Sequence, residues 1–179
     1  NINDLNRLKS FLGKPPGPSG RPPPGPPGAP SGVSAVRGNA LSTLAWTTGN
    51  DNGNPVTATT IYVWTVGPAC SSPVFVSITQ PACIIGACNS NVVGLTNGTS
   101  YCFQVSNTNG VGEGPLSAFV GPVVPATVPT APQSVSNTAT PGTGASLRAI
   151  FSAPASNGGS AITSYWVDAC SSSTFSCAA

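Results

Sequence analysis

The sequence predicts an all-β chain of two tandem sandwich domains, and three observations carry that prediction. Gly and Pro together supply 41 of the 179 residues, a composition of short elements joined by turns and not of helical bundles. From Ala29 onward, short runs of alternating apolar and polar residues recur between clusters of turn residues, at the density of a sandwich or barrel. The pattern then restarts at "VPTAP" (Val128 to Pro132).

Two non-sandwich segments come first. Residues 1–13, "NINDLNRLKSFLG", place Ile2, Leu5, Leu8, Phe11 and Leu12 on one face at helical spacing, with Gly13 as a stop. A short amphipathic helix is expected there, an arm that needs a surface to bury its stripe. Residues 14–28 are rich in Pro and Gly, and the glycines at 17, 20, 25, 28 and 32 break the every-third-residue period that a collagen helix requires. The segment is therefore expected to be an extended polyproline-II linker rising about 3.1 Å per residue, able to hold the arm away from the first domain.

Residues 29–126 read as domain 1. Its strands are "TLAW" (Thr43 to Trp46), "TTIYVWTV" (Thr59 to Val66), "VFVSI" (Val74 to Ile78), "NVVGL" (Asn91 to Leu95) and "SYCFQVSN" (Ser100 to Asn107). Residues 127–179 read as a partial second copy, offset by about 102 residues: "APSGVSAV" is matched by "APQSVSNT", Trp46 by Phe151, and "ACSSPVF" by "ACSSSTF". On that alignment "AITSYWVD" from Ala161 is a third strand, with Ile162, Tyr165 and Val167 on it. The expectation is a fragment of a longer array, or a half-domain completed by a neighbour.

The stretch "LTNGTSYCFQVSNTNGVGEGPLS" (Leu95 to Ser117), with Pro30 at the domain start and Trp46 on the second strand, resembles the fibronectin type III family. The resemblance implies immunoglobulin-like sandwiches in which Tyr101 is a buried tyrosine corner bonded to backbone near Leu95 to Gly98. Alternation then sends Tyr101, Phe103 and Val105 inward and Cys102, Gln104 and Ser106 outward. Trp46, Leu44, Val33, Ile61, Val63 and Val93 complete the expected core.

The six cysteines depart from that family. With no His, and without paired C-x2-C spacing, a zinc site is disfavoured, and disulfides in an oxidising compartment are the better reading. In the implied sandwich the third and sixth strands are antiparallel, which brings Cys70 near Cys102, a bridge worth about 3 to 4 kcal/mol in the chain-entropy model. Cys83 and Cys88 would close their own loop. Pairing Cys70 with Cys83, echoed by Cys170 with Cys177, stays open.

Function classes narrow by exclusion. Arg7, Lys9, Lys14 and Arg21 against Asp4 put +3 in the first 32 residues and leave about −1 afterwards, too little positive charge for a nucleic-acid track. No run approaches the roughly 20 apolar residues of a transmembrane segment. The chain lacks an initiator Met, as a processed or partial chain would. Asp4, Asp51, Glu113 and Asp168 lie far apart in the implied fold, no His is present to activate a nucleophile, and no Gly-x-Ser-x-Gly elbow occurs, so neither an enzyme nor a cofactor is expected. Arg37-Gly38-Asn39 is the nearest approach to an integrin-type tripeptide. The expected role is a non-catalytic structural subunit of an extracellular fibre or surface assembly, joined to other copies of itself through the N-terminal arm and the sandwich edges. The alternative is a spacer or binding module of a larger secreted enzyme or adhesin, or a virion fibre or minor capsid protein. Location is expected to be extracellular or on a cell or virion surface, with glycans as further partners through the "NGT" acceptor at Asn97.

Overall fold

Alternation along three strands builds the core. Ser42, Leu44 and Trp46 point inward from one strand, Thr59, Ile61 and Val63 from a second, and Tyr101, Phe103, Val105 and Asn107 from a third; all are buried. The computed structural model of the chain describes residues 23–65, 70, 75–81, 83, 87–140 and 146–168. The short helix read over residues 1–13, and with it the arm residues, lies outside them.

Among the described residues the first domain is two packed antiparallel sheets. β1 (Ser31–Arg37), β2 (Leu41–Thr47) and β5 (Ala87–Val93) form one, in the order β1-β2-β5. β3 (Val56–Thr65), β4 (Phe75–Pro81), β6 (Tyr101–Asn109) and β7 (Val120–Val123) form the other, in the order β4-β3-β6-β7. The β3–β6 ladder sets Ile61 opposite Val105 and Val63 opposite Phe103, all four facing β2 and β5 across the core. The Thr59 hydroxyl donates to Asn107 Oδ1 (3.0 Å), so a polar pair closes one end of the core without exposing either residue. Tyr101 closes the other end, its hydroxyl accepting the Thr96 N–H at 3.0 Å.

Two expectations for this domain need correction. β5 starts at Ala87, not Asn91, and its register sets Cys88 against Trp46 and Val92 against Ser42. Val92 is therefore the buried member of the valine pair, while Val93 is 68% exposed, because side chains alternate from Cys88 onward. Cys102, Gln104 and Ser106 do leave β6 on the outer face, yet all three are buried. Chain beside β6 covers them: Gln104 Nε2 donates to the Ser117 carbonyl (3.0 Å), and the Ser117 hydroxyl accepts the Val105 N–H (3.0 Å).

The second copy is visible in β8 (Gln133–Thr140) and β9 (Ser146–Ser152), an antiparallel hairpin equivalent to β1 and β2. The likeness reaches local irregularity. The β1–β2 register slips between Ser31 and Ser34, and the β8–β9 register slips between Gln133 and Ser136, the positions about 102 residues on. Inside each slip sits a left-handed residue, Gly32 (φ 61°) in the first copy and Ser134 (φ 52°) in the second. Residues 161–168, read above as a third strand, carry no strand. In the first copy the third strand pairs with β4 and β6 and not with the β1–β2 hairpin, and the described residues of the second copy include no counterpart of those partners. Phe151 instead packs against Tyr165, the two rings tilted at 50° with centroids 4.9 Å apart.

Only glycine adopts the left-handed region without steric cost. Gly32→Ala is therefore expected to destabilise the first sandwich by about 1–2 kcal/mol in thermal unfolding. The reverse change, Ser134→Gly, should slow hydrogen exchange of the β8–β9 amides.

Candidate functional site

The sandwich has two polar ends, and each binds chain that leads into or out of it. At the end where β2 leaves and β3 begins, Asn109 is the hub, only 4% exposed. Its Nδ2 donates to the carbonyls of Gly25 (2.8 Å), Asp51 (3.2 Å) and Asn54 (3.2 Å). Its Oδ1 accepts the N–H groups of Val111 (2.8 Å) and Gly112 (3.2 Å). One amide thus ties together three loops, as a short side chain with two donors and an acceptor can. The incoming segment adds its own bonds: Gly25 N–H to the Asn52 carbonyl (3.2 Å), Gly28 N–H to the Asn50 carbonyl (2.8 Å), and Asn52 Nδ2 to the Pro26 carbonyl (2.6 Å). Pro27 is fully buried. The last residues of the segment read as a polyproline-II linker over 14–28 are therefore built into the domain; its earlier residues, up to 22, lie outside the described ones.

At the opposite end the second copy is seated in the same manner. Thr127 N–H reaches the Gly158 carbonyl (2.8 Å) and Thr130 N–H the Ser156 carbonyl (3.0 Å), the three-residue spacing already seen at Gly25 and Gly28. Behind these, the Pro125 carbonyl accepts the Gly98 N–H (2.9 Å) and Ala126 N–H reaches the Gly38 carbonyl (3.1 Å). The two copies touch backbone to backbone at Gly98 and Gly159: a Cβ on Gly98 would come within 3.3 Å of the Gly159 Cα. Asn97 stands beside this contact, its Oδ1 accepting the Ala40 N–H (2.9 Å) and its Nδ2 donating to Asn39 Oδ1 (2.8 Å).

A sequence model of the fibronectin type III domain matches residues 27–121, more than half of the chain. The chain belongs to the fibronectin type III family. No curated protein is significantly similar to it. Among solved structures it is similar to domains FN1–FN3 of chicken CNTN1, at 25% identity over 63% of this chain and 38% of that one, with a TM-score of 0.49. It is similar also to the third fibronectin III domain of the human KIAA0343 protein, at 20% identity over 66% of this chain and 98% of that one, TM-score 0.45. Titin kinase with its flanking domains matches at 21% identity and TM-score 0.44, over 56% of this chain but only 17% of that one.

On this fibronectin type III scaffold the cysteines form two bridges, each with one sulfur-bearing residue buried, Cys102 in the first and Cys88 in the second. Cys70 is joined to Cys102, Cα to Cα 5.8 Å, tying the β3–β4 connection to the start of β6. Cys83 is joined to Cys88, 5.7 Å apart, at the start of β5. Cys170 and Cys177 lie outside the described residues. The outer face of the β4-β3-β6-β7 sheet carries two further groupings. Trp64 meets Phe119 edge to face with centroids 5.8 Å apart, and the Glu113 carboxylate accepts from both the Tyr62 and the Ser106 hydroxyls. Among the described residues no cluster of His, Cys, Asp or Glu is placed to hold a metal ion. Neither Asn109 nor Glu113 stands out in the sequence. The available signal is the run "NTNGVGEG", in which the side chains of an Asn and a Glu bracket a glycine turn and face backbone donors and hydroxyls.

The Tyr62 phenol is held above its ordinary value of 10.0, first by its bond to the Glu113 carboxylate and then by burial, with the Ser106 hydroxyl opposing. The neutral phenol therefore stabilises the fold fully below about pH 10 and ceases to do so as pH rises through the raised value. Glu113→Gln should move phenolate formation, read at 295 nm, to lower pH, and Tyr62→Phe should flatten the alkaline loss of stability. Asn109→Ala removes the amide that three part-buried carbonyls share and is expected to cost about 1–2 kcal/mol, with accelerated exchange of the Gly25 and Gly28 amides.

Proposed function

We propose that this chain is a non-catalytic structural subunit of an extracellular assembly, joined to further copies of itself. The joints are the apolar arm (Ile2, Leu5, Leu8, Phe11, Leu12) and the sandwich edges at β4 and β5. The observation that carries the reading is the bonding of chain on both sides of the first domain. The strap at 25–28 and the connection at 125–130 are fixed by the same pair of backbone bonds to the loop after the second strand of their copy. A spacer needs no bonds to the domain it leaves; here both segments are bonded and hold direction, as successive units of a rod would. An oxidising, extracellular setting is supported by the two disulfides. The nearly neutral surface past residue 32 leaves packing and backbone pairing, not charge, as the means of association.

The test is light scattering with size exclusion on the intact chain and on a chain lacking residues 1–22, which keeps the bonded strap. The intact chain should give masses at multiples of 17.7 kDa that rise with concentration, and the shortened chain a single monomer mass with unchanged stability. An intact chain that stays monomeric at every concentration with its disulfides closed overturns this reading in favour of a spacer or binding module of a larger secreted protein.

A further inference from the structure

We propose that Asn97 carries an N-linked oligosaccharide whose first sugar sits in the cleft between the two copies and bridges them. This rests on the extracellular reading above. Asn97-Gly98-Thr99 is the only Asn-x-Ser/Thr sequence in the chain, and it lies at the junction of the copies. Asn97, Gly98 and Thr99 form one wall of a cleft of about 500 Å³, and Ser156, Asn157 and Ser160 stand on the other. Among the described residues no charged one lines it. Hydroxyls, amides and glycine backbone on both walls match the hydroxyl groups of a neutral sugar.

The Asn97 side chain is held ready for such a load. Its carbonyl oxygen is committed to the Ala40 N–H and one amide hydrogen to Asn39 Oδ1. An N-linked amide keeps its carbonyl oxygen and one N–H, so the bond from Ala40 survives substitution and a donor remains on Nδ2. That bond also matters locally, because Ala40 is left-handed (φ 53°), a conformation costly to an alanine unless its surroundings hold it. In the transfer, Nδ2 forms a bond to C1 of the reducing-end sugar of a polyprenyl diphosphate-linked oligosaccharide. The C1–O bond breaks, the diphosphate leaves with the electron pair, and the amide proton passes to the transferring enzyme; nothing is oxidised or reduced. The first sugar then lies beside the contact of Gly98 with Gly159, where it spans from Asn97 to Ser160.

The experiment is secretion of the full chain from an N-glycosylating eukaryotic host, with intact mass, free-thiol count and hydrogen exchange read on the same sample. The expected mass exceeds that of the polypeptide by one oligosaccharide, and the excess disappears in Thr99→Ala, which removes the acceptor sequence but keeps both Asn97 bonds. Thr99→Ala is the proper unmodified comparator, because enzymatic removal of the sugar leaves an Asp at 97. The amides of Thr127 and Thr130 should exchange severalfold more slowly in the modified chain than in Thr99→Ala, and Ser160→Ala should lose that protection while keeping the sugar. A secreted chain with closed disulfides and no added mass overturns the proposal, as does a modified chain whose Thr127 and Thr130 amides are not slowed. A chain retained inside the host with free thiols overturns the extracellular reading instead.

Discussion

The pairing of β3 with β6 is the constraint on which the rest of this structure depends. It is the longest ladder among the described residues, running from Val56 against Asn109 to Thr65 against Tyr101. Its inner face supplies Ile61, Val63, Phe103 and Val105, the centre of the apolar core. Its outer face presents Cys102 to Cys70, and Tyr62 and Ser106 to Glu113. Its two ends deliver Tyr101 and Asn109, which anchor the turn after β5 at one end and the incoming strap at the other. A register slip of one residue would invert every one of these assignments together, since side chains alternate with a period of two. Burial of Phe103 and Ile61 at the centre thus fixes polar contacts at both ends, well beyond reach of either side chain.

The ends share a second physical feature, the use of backbone in place of side chains. The strap and the inter-copy connection are held by N–H to carbonyl bonds, and the copies approach through glycines. Such contacts carry no side-chain entropy cost, unlike the long charged chains of an ion-paired junction. They demand shape: glycine where the backbones meet, and a proline or small residue in the strand that crosses. The composition of the chain, poor in charge and rich in Gly, Pro, Asn and Ser, is the composition this manner of joining needs.

How much of this was legible follows from the period of each signal. Alternation at period two marks β2, β3 and β6, and the tyrosine corner at Tyr101 is what the resemblance to the family implies. The doubled valine of β5 gives no phase of its own. Only its pairing with β2 shows that Val92 and not Val93 enters the core, and that pairing joins residues nearly fifty positions apart in the sequence. The burial of Gln104 and Ser106 was illegible for the same reason: an outward side chain is exposed only if no other chain crosses it, and Ser117 does. The strap at Gly25 to Gly28 reads as linker from composition, which reports the backbone conformations proline and glycine favour and not where their carbonyls are bonded. The internal repeat was legible as residue matches, and its physical meaning lies deeper, in a bulge shared at Gly32 and Ser134.

That shared bulge bears on how the two copies relate. A serine in the left-handed region is costlier than the glycine at the equivalent position, yet both copies keep the same register slip. A slip there shifts the start of the first strand relative to its partner, and so sets where the preceding segment crosses the loop after the second strand. The bonds from Gly25 and Gly28 to Asn52 and Asn50, and from Thr127 and Thr130 to Gly158 and Ser156, are the two instances of that crossing. Strain at Ser134 is thereby coupled to the seating of the second copy: removing the bulge would shift the segment from Thr127 to Thr130 out of register with the carbonyls it meets. The irregularity in the strand and the fixed junction between copies are one arrangement, and the contact of Gly98 with Gly159 is the point at which it is closed.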